Sequence, residues 1–290
     1  MRISLFVLSL VVFCSNFSKA QLNTNYEESI DVLSWNLYML PGITNLSKEV
    51  EKSDKKARAR EIAEFLNNSH YDIVIFQEAF FPASRHILAK NLKLKFPYQI
   101  GPANPSGISL KTNSGIFVVS KIPLQELESV IYKACNGADC FAKKGAILLE
   151  GEFQNKKFQI LGTHLNAGGP QWIRVSQYKQ IRNLLDDYKK LNVPQIVCGD
   201  MNTHKEDVAV YEEMLYELDV EDIPTISKQV FTTAKDKSVI DYIFIRSNRS
   251  SMKARNKEVL WIKAKMPVIE RLNGNLSDHL AISASFFWEE

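Results

Sequence analysis

Histidine and cysteine are scarce in this 290-residue chain, five of one and four of the other. Nowhere do they cluster at metal-ligand spacing, which argues against a structural zinc site. No glycine-rich run of Walker spacing is present, so that kind of phosphate cradle is missing. Beyond the N-terminus no stretch is apolar enough to cross a bilayer as a helix. There is no long linker, low-complexity tract or obvious repeat.

What is there begins with a leader. Arg2 precedes the apolar run Ile3 to Phe13, and Ser18-Lys19-Ala20 puts small residues at the two positions a signal peptidase inspects. The run is too short to span a membrane, and bulky Phe13 before Cys14 does not suit a lipoprotein cleavage site. The chain is expected to be exported, secreted or periplasmic, after a cut near Ala20. Residues 21–290 then form one large domain. Losing Arg2 and Lys19 takes two from the 36 basic residues and none from the 33 acids. The near-neutral remainder gives no global pull toward nucleic acid or anionic membrane, although a local basic patch stays open. Cys135 and Cys140 bracket a turn-rich loop able to close as a disulfide after export, and Cys198 reads as a small buried hydrophobe.

Strand-like and helix-like segments alternate from end to end. Ile30 to Trp35, Asp72 to Phe76, Gly115 to Ser120, Ala146 to Phe153, Phe158 to Thr163, Gln195 to Cys198, Val239 to Ile245 and Leu280 to Phe287 read as strands. Several are almost continuously apolar, as strands covered on both faces are. Asp54 can cap a helix running to about Asn68 that buries Ala57, Ile62, Phe65 and Leu66. A second helix follows Pro170, from about Gln171 to Lys190, with Trp172, Val175, Tyr178, Ile181, Leu185 and Tyr188 on one stripe. Many strands and few helices predict an α/β four-layer sandwich, two packed mixed sheets flanked by helices.

The ends of these strands carry the chemistry. Gly199-Asp200-Met201-Asn202 follows an apolar run, and residues two apart at a strand exit point the same way, so Asp200 and Asn202 can address one ligand. Taken alone the segment is also a good turn. The other strands end in company: Asn36, then Gln77-Glu78, then His164, with Ser277-Asp278-His279 just before the last strand. Asp241 lies within an apolar strand and needs a partner, most cheaply a histidine. Singly, each has a bland reading as a turn, a surface acid or a satisfied core histidine. Together they hold what phosphodiester hydrolysis needs. A carboxylate such as Glu78 can hold a hard cation, a carboxylate-oriented histidine can take a proton from water, and Asn and His donors can steady phosphorus.

This ordered set resembles the endonuclease/exonuclease/phosphatase superfamily over nearly the whole chain from Asn36 to His279. The resemblance implies a Mg2+ enzyme, with Mn2+ or Co2+ able to substitute. It implies Glu78 as principal metal ligand, helped by Asn36 and Asp278, and His279 as general base oriented by Asp241. Asp200, Asn202 and His164 would surround nucleophile and phosphate. Three details look like the secreted bacterial-type neutral sphingomyelinase branch: Asn36-Leu37-Tyr38-Met39-Leu40-Pro41, Lys143-Lys144-Gly145, and Gly162-Thr163-His164-Leu165 before a helix. They imply Tyr38 and Lys144 as substrate-binding residues and a phospholipid met at a membrane surface, without a transmembrane span. A nuclease on the same fold is the nearest rival, disfavoured by the near-neutral charge. A membrane-binding module without catalysis is the rival from another class. One departure stands out. The branch has an aromatic-tipped hairpin before the final Asp-His, whereas Glu258 to Asn275 offers Trp261 with the aliphatic Ile262, Met266, Val268 and Ile269.

Overall fold

The computed structural model describes residues 28–41, 49–106, 111–228 and 230–290, so the expected leader lies outside the described residues. The first half of the chain supplies β1 (Ile30–Met39), α1 (Glu49–Asn67), β2 (Ile73–Ala79), α2 (Pro82–Leu92), β3 (Tyr98–Ile100), β4 (Phe117–Ser120), β5 (Leu124–Ile131) and β6 (Gly145–Phe153). The second half supplies β7 (Lys156–His164), α3 (Gln171–Asp187), β8 (Gln195–Asp200), α4 (Val208–Leu218), β9 (Glu221–Asp222), β10 (Asp241–Arg246), β11 (Met252–Leu260) and β12 (Ala281–Trp288). They form two six-stranded sheets, ordered β11-β12-β1-β2-β4-β3 and β5-β6-β7-β8-β10-β9.

Each sheet has one parallel pair at its centre, β1 beside β2 and β7 beside β8, and each pair is crossed over by a helix, α1 or α3. All other pairings in both sheets are antiparallel. Strand periodicity sorts the core into three layers. Ile73 and Ile75 face the second sheet, joining Ile147, Ile160, Ile196 and Ile243 between the layers. Val74 and Phe76 face the other way onto Ile62 and Leu66 of α1 and Leu88 of α2. Leu148, Leu161 and Val197 likewise face Tyr178 and Ile181 of α3 and Met214 of α4. The expected four-layer sandwich is the observed one.

Several local expectations give way. The first helix begins at Glu49, so Asp54 is not its cap but lies inside it, accepting from Arg58 Nε at 2.8 Å one turn on. Helix α3 ends at Asp187 and leaves Trp172 exposed, because that ring stands on the first turn beyond the core stripe. Helices α2 and α4 and strands β5 and β11 carry no clean alternation. Strand β5 has no fully buried position, β11 mixes buried with exposed ones irregularly, and each contains a register shift.

Gly199 shows why the Gly-Asp-Met-Asn segment needs its glycine. Its φ is +148°, and a Cβ there would lie 2.0 Å from the Thr163 carbonyl oxygen of the neighbouring strand. Close approach of β8 to β7 thus brings His164 opposite Asp200.

Candidate active site

The carboxyl ends of the two parallel pairs converge, as substrate sites in open α/β sheets do. From the first sheet come Asn36 and Glu78, with Asp278 and His279 on the approach to β12. From the second come His164, Asp200 and Asp241. Hydrogen bonds cross between the layers. Asn36 Nδ2 donates to Asp200 Oδ2 at 2.9 Å, and His279 Nδ1 lies 2.9 Å from Asp241 Oδ2.

Glu78 is aimed by a bulge. Past Asn36 opposite Gln77, the β1–β2 register slips so that Leu37 and Tyr38 stand against Glu78 alone. Tyr38 and Glu78 both take left-handed backbone angles, φ 50° and 52°. The Glu78 carboxyl is pushed up to about 7, first by burial and then by the neighbouring charge of Asp278. Its Oε2 is buried with no hydrogen-bond partner. Arg85 of α2 donates to the carbonyls of Ala79 and Phe80, the two residues that follow it.

Asp241 faces Asp200 across the β8–β10 ladder. Burial first, and then the charge of Asp241, push Asp200 up to about 6. Asp200 Oδ1 accepts from the Asn202 backbone N–H at 2.9 Å, and Asn202 Nδ2 donates to the Leu165 carbonyl at 3.0 Å. Burial by itself would lower the pKa of His279, but Asp241 and Asp200, the hydrogen bond to Asp241 and nearby Asp278 lift it well above the usual value. His279 Nε2 is 3.8 Å from Asp200 Oδ2. Asp200, Asp241 and His279 lie close enough together to ligate a cation. The directed Nδ1–Asp241 bond marks them instead as an oriented imidazole.

His164 is buried, and burial, then Lys144 and His279, hold its pKa well below the usual value, so it is neutral. Lys144 Nζ lies 3.0 Å from its Nε2, the nitrogen that also faces Asp200 Oδ2 at 3.5 Å and Glu78 Oε1 at 4.0 Å, while Nδ1 is buried with no partner. Lys144, expected to bind substrate, lines a cleft beside Glu78. It is buried, and its ammonium is shared among Asp139 at 2.8 Å, His164 and the Leu165 carbonyl at 2.9 Å. Asp139 sits on the loop closed by the Cys135–Cys140 disulfide, and Cys198 is buried with its thiol pushed up to about 12 by burial. Half-buried Tyr38 contributes its backbone, donating to Asn36 Oδ1 at 3.1 Å.

Sequence reasoning missed Arg58, Asp139 and a largely apolar cleft of about 470 Å3 that opens beside Glu78. Leu40, Pro41, Phe80, Phe141 and Lys144 line it. A charged residue on a helix and an acid in a loop carry no local sign of such roles. Before the final Asp-His, Trp261 packs edge-on against Phe231, 5.8 Å between centroids, with the Lys263 ammonium over its ring. No helix of the described residues is long and apolar enough to cross a membrane.

The model of the Endonuclease/Exonuclease/phosphatase family matches residues 33–279. Sphingomyelinase C 2 of Leptospira interrogans is 31% identical over 256 residues, covering 79% of this chain but 39% of that protein, so the chain spans about two fifths of that relative's length. Phospholipase C of Staphylococcus aureus is 26% identical, covering 93% of this chain and 90% of that one. A solved beta toxin variant from Staphylococcus aureus, with bound magnesium ions, superposes with a TM-score of 0.75 at 23% identity, covering 90% of this chain and all of that one.

Proposed function

This chain belongs to the endonuclease/exonuclease/phosphatase family, and on that premise we propose that it is an exported, Mg2+-dependent phosphodiesterase that splits sphingomyelin into ceramide and phosphocholine. The observation that carries the reaction class is one basin holding two unlike groups. His279, fixed by Asp241, stands on one side, and the carboxylates of Glu78 and Asp278 stand at the other. The names of the Leptospira and Staphylococcus relatives support a phospholipid substrate, and the apolar cleft beside Glu78 suits the hydrocarbon side of one. The reading takes residues 1–20 as leader and 21–290 as the catalytic domain, touching the membrane peripherally and binding no nucleic acid.

A hard cation fits this site. Glu78 offers a buried oxygen without a partner and a carboxyl raised to about 7 by burial and by the charge of Asp278, an environment that a cation would relieve. Asn36 Oδ1 and Asp278 complete an all-oxygen set of the kind Mg2+ prefers. When bound there, Mg2+ would neutralise phosphate charge and, by its field, draw His279 back toward the neutral form. In the reaction, Asp241 holds the Nδ1 proton of His279, so that Nε2 is the atom that takes the proton from the attacking water. Asp200 keeps Asn36 and Asn202 in place on the phosphate side. Neutral His164 turns its Nε2 edge toward the phosphate side of the site, beside Asp200 and Glu78, and Lys144 holds the ring there.

The deciding experiment is a panel of sphingomyelin, phosphatidylcholine, ceramide phosphoethanolamine and plasmid DNA, each with Mg2+ and with chelator. Phosphocholine release from sphingomyelin, abolished by chelator, is expected. DNA cleavage without lipid hydrolysis would overturn the substrate, and vesicle binding without any hydrolysis would overturn the chemistry.

A further inference from the structure

We propose that Arg58 is a positioning residue that sets the spacing between the two chain segments carrying the cation's ligands. Its guanidinium is buried on α1, away from solvent and from any reacting atom. Nη1 donates to the Leu37 carbonyl at 2.8 Å and to the Leu276 carbonyl at 2.8 Å, and Nη2 donates to the Tyr38 carbonyl at 3.0 Å. Nε is taken by Asp54, which aims the group from the same helix.

The three carbonyls have a common origin. Leu37 and Tyr38 are the bulged pair where the β1–β2 register slips, and Leu276 precedes β12 beyond the last β1–β12 ladder pair, Ser34 with Ile282. Each is therefore out of regular sheet pairing at a depth where an unmet carbonyl is costly. A planar fork with donors in fixed directions can hold all three at once, and the compact ammonium of lysine cannot reproduce that pattern. One side of the clamp is contiguous with Asn36, and the other leads through Ser277 to Asp278 and His279. The Ser277 hydroxyl adds a parallel tie to the Asn36 carbonyl at 2.7 Å, and Trp35 Nε1 donates to the His279 carbonyl at 3.1 Å. Arg58 thus fixes the gap between Asn36 and Asp278 as outer-shell partners fix metal ligands elsewhere.

The inference rests on the reading of Asn36, Glu78 and Asp278 as Mg2+ ligands, and the test separates the two. Mg2+ is titrated calorimetrically into the purified wild type and into Glu78→Gln, Arg58→Met, Arg58→Lys and Arg246→Met, well below each melting temperature. Arg246 is the matched control, a buried arginine on β10 that holds Gln195, Asp186 and Asp219 away from the site. Arg58→Met is expected to weaken Mg2+ binding by about 10- to 100-fold. Arg58→Lys should show a smaller loss, and Arg246→Met should lower the melting temperature while leaving Mg2+ affinity and kcat unchanged. Arg58 variants with wild-type Mg2+ affinity and kcat would overturn the clamp, and Arg58→Lys alone decides if Arg58→Met does not fold. A wild type whose Mg2+ affinity is unchanged by Glu78→Gln would instead overturn the metal reading.

Discussion

Asp241 stands directly across the ladder from Asp200, yet only Asp241 is bonded to His279: 2.9 Å to Nδ1, against 3.8 Å from Asp200 to Nε2. Two carboxylates on adjacent strands thus have separate tasks, one orienting an imidazole and the other holding amides. Asp241→Asn keeps the shape but removes the negative charge and lets an amide N–H face Nδ1, which favours the wrong tautomer. It should lower kcat for phosphocholine release by about 10^2- to 10^4-fold with little change in KM. His279→Ala should do at least as much, with both variants retaining the wild-type circular dichroism spectrum.

As the proposed metal ligand, Glu78 would couple metal binding to stability. Its carboxyl has a folded-state pKa of about 7, above the ordinary glutamate value. The metal-free folded state therefore holds a proton that the unfolded chain releases, and stability is lost as pH rises from the ordinary value to about 7. In chelator at pH 8, Glu78→Gln should be more stable than wild type by about 3 kcal/mol. Adding Mg2+ should raise the wild-type melting temperature and leave that of Glu78→Gln nearly unchanged. A wild-type protein that is indifferent to Mg2+ in this melt would contradict the prediction.

Away from the site, Asp222 binds Lys257, Lys205 (2.7 Å) and the Tyr211 hydroxyl (2.7 Å). Burial alone would raise its pKa, but Lys257 and the hydrogen bonds from Lys205, Lys257 and Tyr211 bring it below the usual value. The stability it contributes is present above the unfolded-state pKa and is lost as pH falls through the lower folded value. Asp222→Asn leaves buried Lys257 without its carboxylate and should cost about 3 kcal/mol in urea unfolding at pH 7. That difference should shrink as the pH is taken below about 3.9.

Gly199→Ala sets a Cβ against backbone, which cannot yield as a side-chain tip can. The cost should be about 3 kcal/mol or more, read as a lowered urea midpoint or as insoluble protein.

These residues differ in how visible they are in sequence. Asn36, Glu78, His164 and Asp200 were legible because each polar group interrupts an apolar run at a strand exit, and a strand has only two faces. Asp241 was legible because an acid inside such a run demands a partner. Arg58 was not, since its value depends on carbonyls freed by a bulge about twenty residues upstream and by the irregular segment before β12, more than two hundred residues downstream. Asp54, its ion partner, looked like a helix cap for the same reason: the sequence shows an acid before a helical stripe, not the turn that precedes it. Lys144 read as a substrate-binding residue, and nothing nearby announces Asp139 and His164 closing over it. Edge strands β5 and β11 escaped notice because half-solvated strands with shifted registers lose the period that betrays the central ones.

The layer of isoleucines between the sheets has a consequence for how the protein fails. Asn36, Glu78, Asp278 and His279 ride on one sheet, while His164, Asp200 and Asp241 ride on the other. Neither sheet alone carries a competent set. A breathing motion that parts the layers by the width of a water molecule would silence turnover while every strand stays paired within its own sheet. Catalytic rate is then the most sensitive thermometer of that inner seam, fading on warming ahead of any spectroscopic sign that the strands have melted.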